Sequence, residues 1–278
     1  MQTELIKANL KFLASLDEPL VYIPSKGGGD ETDHVGNFTM QEVSIHDGRR
    51  DKSSASLDVE GFRLVSQKTK VDDFYDDVQI ESTYHEEVKA LLTETTGAAR
   101  VEIFDDTRRS SSLATQQDRN IREPADIVHN DYTAASGIKR LRDHFADNPD
   151  EAEKLLQRRF AIVNVWRSIA GPVYNHPVAL CDAATVRPED LVSVERRAEE
   201  RIGEIQVALY GSGQRWYTFP EMQMDEALLI KTFDSEIDGR ARFTLHTSFA
   251  DPHAPADLPP RESIETRCLL FFQVSWPP

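Results

Sequence analysis

Cysteine is nearly absent from this chain of 278 residues: only Cys181 and Cys268 occur, each beside apolar neighbours. Two isolated thiols exclude a disulfide framework and a cysteine-based zinc site. Long apolar runs are missing as well. No stretch reaches the roughly 18–20 apolar residues that a membrane span needs. The start, Met1-Gln2-Thr3-Glu4-Leu5, lacks the basic region and apolar core of a secretory signal. A cytoplasmic protein with no membrane partner is therefore expected. The third absence is clustered basic charge. Lys and Arg number 32 against 48 Asp and Glu, a formal charge of −16, and no basic run exceeds a pair or triple such as Arg49-Arg50 or Arg158-Arg159. Nucleic-acid affinity rests on clustered cations that neutralise phosphates, so that class of partner is excluded. An anionic membrane surface is disfavoured on the same ground.

What remains is a chain with 39% hydrophobic residues, enough at this length to bury roughly three quarters of its unfolded surface. Short strand-like runs open it, at Leu10–Leu16, Leu20–Ile23, Phe38–Ile45 and Phe62–Val65, broken by Gly27-Gly28-Gly29 and by a polar, exposed loop over Asp47–Ser56. From Tyr84 the spacing of Val88, Leu91 and Leu92 predicts a helix that stops at Gly97. A strand over Val101–Phe104 follows, then a polar run, Asp105–Arg122, that reads as a mobile loop, then strand-like alternation in Ile127–Thr133. Ile138, Leu141 and Phe145 mark one further helix, and Leu155, Leu156 and Phe160 a second, with Pro149 where a first helical turn tolerates it.

Strand signals dominate the rest: Ala161–Ile169, Val178–Cys181, Glu204–Tyr210, Trp216–Phe219, Ala227–Phe233, Arg242–Phe249 and Ser263–Val274. Such density points to an antiparallel sandwich or barrel rather than alternating α/β units. The expected fold is mainly β, β-rich α+β. One catalytic domain spans 1–278, with residues 1–100 an N-terminal β/α elaboration, 101–278 the barrel core, and a helical insert at about 134–160.

Of eight histidines, three sit in a setting that suggests chemistry: His129, His246 and, as a competing match, His85. His129-Asn130-Asp131 places an imidazole and a carboxylate two residues apart on an expected strand, where i and i+2 share a face. His246, inside the strand-like Arg242–Phe249, offers a third ligand from across a barrel. Two histidines and a carboxylate, with other positions open, are what non-haem Fe(II) oxygenases use. Zn or Mn at the same ligands, or a metal-free β-barrel that binds a small ligand, is the alternative. His85-Glu86-Glu87 repeats the spacing on an amphipathic helix, where i and i+2 diverge, and is expected on a solvated face. A co-substrate such as 2-oxoglutarate needs a planar cation for its far carboxylate. Arg267, opening an apolar strand, is favoured over Arg261, which forms an Arg-x-Ser spacing with Ser263.

Taken in order, Asn164-Val165-Trp166-Arg167, Gly171-Pro172-Val173, Ala179–Ala183, Arg215–Met222, Leu228–Ser235, Arg242–Phe249 and Pro260–Glu265 resemble successive blocks of the cephamycin-methoxylation (CmcJ)-like and fungal AsaB-like oxygenases. The resemblance covers roughly residues 127–275. It implies a double-stranded β-helix (jelly-roll, cupin-like) and oxidation of small molecules in secondary metabolism. It further implies Fe(II), 2-oxoglutarate and O2 as cofactors, His129, Asp131 and His246 as metal ligands, and a co-substrate region at Arg261–Arg267.

Around that centre the expectations are finer. Neighbours on a strand face opposite sides, so one of Trp166 and Arg167 enters the barrel. Arg167 is chosen, facing a carboxylate of the co-substrate or of the substrate, such as an amino acid or its derivative, with a structural ion pair as its alternative. Lys231, in an apolar strand where an unpaired charge is costly, either lines the pocket or pairs with Asp182 or Asp234. Trp216, Tyr217 and Phe219 either wall the substrate pocket or pack in the core.

Overall fold

The computed structural model describes residues 5–17, 19–198, 201–255 and 257–273, so Met1–Glu4 and Val274 lie outside it. Its strands are β1 (Ile6–Leu13), β2 (Val21–Ile23), β3 (Asp33–Val35), β4 (Phe38–Asp47), β5 (Phe62–Ser66), β6 (Arg100–Ser110), β7 (His129–Asn130) and β8 (Phe160–Ser168). After these come β9 (Val178–Cys181), β10 (Leu191–Ala198), β11 (Arg201–Ala208), β12 (Trp216–Thr218), β13 (Glu226–Asp234), β14 (His246–Ser248) and β15 (Glu262–Phe271). They form two sheets, a large one in the order β1-β4-β12-β9-β14-β7-β11-β10-β2-β3 and a smaller one in the order β5-β13-β8-β15-β6. The architecture is the double-stranded β-helix. The N-terminal strands β1 and β4 extend the large sheet at one end, and β2 and β3 close it at the other.

Side-chain alternation decides what each sheet presents to the space between them. Strand β8, FAIVNVWRS, is buried along its whole length because both of its faces are covered. Its odd-numbered residues Ala161, Val163 and Val165 pack outward against Tyr84, Val88 and Leu92 of the helical layer. Trp166 packs on the other side, with Leu180, Leu228 and Ile230. The helix His85–Thr96 stops at Gly97, whose φ of 71° is the left-handed cap that glycine adopts without strain. Two helices, Ala134–His144 and Pro149–Leu156, join β7 to β8. The first starts at a capping box in which Thr133 and Ser136 bond reciprocally. It lies close to the small sheet because Gly137 has no side chain: a Cβ there would sit 2.5 Å from the Phe233 ring.

Two expectations are corrected, and one strand without a sequence signal is added. The run Asp105–Arg122 is not a loop: β6 continues to Ser110 along β15, and Leu113–Arg119 is helical, capped by Ser112. Polar residues here face a cavity, so the strand shows no apolar alternation. Strand β10 carries Glu195-Arg196-Arg197 and was hidden by the same charge. Within Asp47–Ser56, residues 48–51 form a helical turn, and Arg49 is tied to Glu226 at 2.6 Å. No helix among the described residues is long and apolar enough to cross a membrane.

Candidate functional site

Strand β7 is only two residues long, yet it sits between β14 and β11, with His129 opposite His246 on one side and Val207 on the other. Direct cross-strand partners hold their side chains close, and the two imidazoles lie 4.5 Å apart between ring centroids. Each Nδ1 faces a backbone carbonyl, His129 that of Ile127 at 2.7 Å and His246 that of Thr244 at 2.9 Å. A carbonyl only accepts, so both Nδ1 atoms carry the proton and both Nε2 lone pairs are left bare. Burial, with repulsion from His246, pushes His129 down to about 3, which keeps it neutral.

Asp131 stands one residue past the end of β7 and completes the group: one ligand atom from each of His129, Asp131 and His246 lies within 4.8 Å of the others. The small sheet holds this carboxylate from the far side. Asn164 of β8 donates to its Oδ2 at 2.7 Å, and Arg267 Nε of β15 donates to the same atom at 3.0 Å. Burial alone would raise the carboxyl, but Arg267, His246 and His129 outweigh it and hold it below the usual carboxylate range. Between the ligands, buried Asn130 donates to the carbonyls of Tyr132 and Thr232 and accepts from the Thr244 amide, clamping both ligand-bearing segments. Asn130 and Asn164 escaped sequence reasoning. Asn164 carries a signal, an amide inside the otherwise apolar run Ala161–Trp166, a group that must find partners when buried.

The set of two unprotonated imidazole nitrogens and a carboxylate, with space beside it, fits a divalent iron centre. Two cavities meet there. A recess of about 30 Å3 is lined by His129, His246, Trp166, Ile230 and Arg261. An outer cavity of about 580 Å3 touches His129, Asp131 and Arg267, and His129, Arg109 and Arg267 line both spaces.

The two arginines are partnered differently. Arg267 has every nitrogen engaged: Nε on Asp131, Nη1 on Asp105 and Thr107, and Nη2 on Glu265. Arg261 is the more deeply buried, and among the described residues its fork meets only neutral acceptors, the Ser263 hydroxyl at 3.1 and 3.3 Å and the His176 carbonyl at 2.7 Å. Its guanidinium lies 4.9 Å from the Trp166 ring. Burial, with repulsion from Arg109, pushes it down to about 9, Glu265 opposing. A buried guanidinium without a carboxylate bonded to it is where an incoming anion gains most.

Two further expectations fail, for Arg167 and His85, and Lys231, Trp216, Tyr217 and Phe219 take the second of the two alternatives open to them. Arg167, on the odd-numbered face of β8, points away from the barrel interior. It donates to the Gln67 and Met224 carbonyls at 3.0 and 2.6 Å and lies over Tyr84; Trp166 is the one that enters. Lys231 pairs with Asp58 and Asp234, in neither of the two cavities, and Asp182 pairs with Lys52 instead. Trp216 packs edge-on against Phe12 in the core of the large sheet. Tyr217 and Phe219 pack with Phe62. His85 is half-buried and bonds Asp106 at 2.7 Å rather than facing solvent.

A family model described as "Oxidoreductase/YMDC permease-like domain" matches residues 10–271. The chain is 33% identical over 246 residues to the Fe(II)/2-oxoglutarate-dependent dioxygenase nvfI of Aspergillus novofumigatus (strain IBT 16806), covering 84% of each. It is 32% identical over 277 residues to the hydroxylase/desaturase CTB9 of Cercospora beticola, covering 89% of this chain and 84% of that one. A solved structure of the iron and alpha-ketoglutarate-dependent endoperoxidase NvfI matches with a TM-score of 0.83 at 30% identity, over 98% of this chain and 99% of that one.

Proposed function

Because this chain belongs to the Fe(II)/2-oxoglutarate-dependent dioxygenases, we propose that it oxidises a small carboxylate-bearing molecule by hydroxylation, desaturation or ring closure, with His129, Asp131 and His246 holding the iron. Arg261 and Ser263 receive the far carboxylate of 2-oxoglutarate. The observation that carries this reading is the convergence of two bare Nε2 atoms and the Asp131 carboxylate within 4.8 Å.

Iron with 2-oxoglutarate and dioxygen supplies the oxidation, the co-acid leaving as succinate and carbon dioxide. The protein supplies position. The carbonyls of Ile127 and Thr244 lock both imidazole tautomers and aim Nε2 at the metal position. Asn164 and Arg267 fix the Asp131 carboxylate. Arg261, seated on the Trp166 ring, places a cation in the wall of the recess, and the larger cavity leaves room for the substrate. A carboxylate on that substrate cannot rest on Arg167, which lies in neither cavity; its support passes to the cations of the outer cavity.

The test is direct. Anaerobic Fe(II) and 2-oxoglutarate should give the weak visible charge-transfer band of the chelate, and air should release succinate. His246→Ala and Asp131→Ala should lose both while their circular dichroism stays that of the parent. Folded parent protein with neither band nor succinate would sink the reading.

A further inference from the structure

The outer cavity inverts the charge of the molecule around it. The chain carries −16, yet basic side chains outnumber acidic ones about two to one along this cavity. Most of those cations are already answered. Arg267 holds Asp131, Arg108 holds Asp77, Arg119 lies beside Asp118, and Lys139 and Arg140 share Asp143. The acids are occupied too: Asp105 and Asp131 by Arg267, Asp106 by His85, and Glu204 by the Thr133 hydroxyl. Arg122 and Arg196 are different. Among the described residues neither has a carboxylate partner or a side-chain hydrogen bond.

Backbone register explains why these two cations meet. Arg122 pairs with Arg109 through an isolated parallel bridge, and the Ser110 amide donates to the Arg122 carbonyl at 3.0 Å. From the other wall, Arg196 of β10 is the sheet partner of Tyr22 in β2. Arg109 spends one Nη1 donor on the Glu123 carbonyl at 2.7 Å. Burial, and then repulsion by Arg109, Arg196 and Arg267, lowers Arg122 from its ordinary value. Like charges collected in a partly buried place are costly unless an anion joins them. Tyr22, Phe104 and Tyr132 supply aromatic surface along the same cavity.

We propose that Arg122 and Arg196, with Arg109 beside them, form an anion subsite for the substrate. In this reading the substrate is an aromatic carboxylic acid whose carboxylate sits at these guanidiniums and whose oxidisable carbon faces His129 and Asp131. The inference rests on the oxygenase reading above and deepens it by naming the substrate class. The co-substrate does not compete for this place, because its far carboxylate has Arg261 in the recess across His129.

Calorimetric titration with indole-3-acetate and benzoate, each beside its methyl ester, tests the subsite on the iron-free chain and on the anaerobic Fe(II)/2-oxoglutarate form. Both acids should bind at least about tenfold more tightly than their esters. Arg122→Gln and Arg196→Gln should each erase about tenfold of that preference, whereas Arg122→Lys keeps most of it. The 2-oxoglutarate dissociation constant, read from the charge-transfer band, should move less than about twofold, since Arg261 is untouched. Esters binding as well as acids, no acid binding by the parent, or acid binding unchanged in both Gln variants would each overturn the subsite. A missing charge-transfer band with arginine-dependent acid binding intact would overturn the oxygenase reading and leave the subsite standing.

Discussion

Arg267 holds Asp131 in place: its Nε lies 3.0 Å from Oδ2, while Nη1 is drawn to Asp105 at 2.5 Å. Burial works against the charged guanidinium, but Glu265, Asp131 and Asp105 outweigh it and raise Arg267 above its ordinary value. In the proposed iron site it would act on the metal through Asp131. Removing such an outer partner typically costs about 10–100-fold in metal affinity. Arg267→Gln should weaken Co(II) binding, followed by its visible bands, by that factor. Unchanged Co(II) affinity with a large rise in the KM for 2-oxoglutarate would return the co-substrate role to Arg267.

Arg261 should show the complementary behaviour. Losing a charge-assisted bond to a buried carboxylate costs about 2–3 kcal/mol, so Arg261→Ala should raise the 2-oxoglutarate dissociation constant about 30-fold or more. Ser263→Ala, which only loosens the fork that the hydroxyl supports, should raise it a few-fold. Co(II) binding serves as the control and should hold in both variants.

Arg167→Met separates packing from catalysis. The guanidinium is fully buried and bonds the carbonyls of Gln67 and Met224. Leaving those acceptors unpaired should cost about 2–4 kcal/mol, read as a lower midpoint in urea. The KM for 2-oxoglutarate should stay within twofold of the parent. A KM shift without loss of stability would place Arg167 back in the site.

The two thiols set an alkaline limit on stability. Burial pushes Cys181 up to about 12 and Cys268 well above its ordinary value. A raised folded pKa means that the unfolded chain loses its thiol proton first. That contribution is complete below about pH 9 and is lost as pH rises toward the folded values, with a slope of up to about 1.4 kcal/mol per unit for each thiol. Iodoacetamide at pH 8 should leave both cysteines unmodified until urea unfolds the chain. Rapid alkylation of the native protein would contradict their burial.

Much of the architecture can be read from local pattern. The strand density after Phe160, the apolar face of Ile138, Leu141 and Phe145, and Pro149 at a helix start are all local signals, and the elements form where they point. The His129–Asp131 spacing and the strand setting of His246 were visible for the same reason. Strands that line a polar cavity gave no such signal. Residues Asp105–Ser110 and Glu195-Arg196-Arg197 look like solvated loops because their polar side chains line or border a cavity or pair across the sheet.

By itself, the sequence determined the β-rich class and the pairing of imidazole and carboxylate two residues apart. Only the tertiary structure decided which arginine is free. Arg167, Arg261 and Arg267 are alike as residues in strand-like segments, and period-two alternation says which neighbours share a face but not which face a helix covers. Packing of β8 beneath the helix His85–Thr96 turned Arg167 outward and Trp166 inward. The meeting of β15 with Asp131 engaged Arg267 and left Arg261 without a carboxylate bonded to it. A side chain's chemistry is local, but its partners come from contacts across more than a hundred residues of chain.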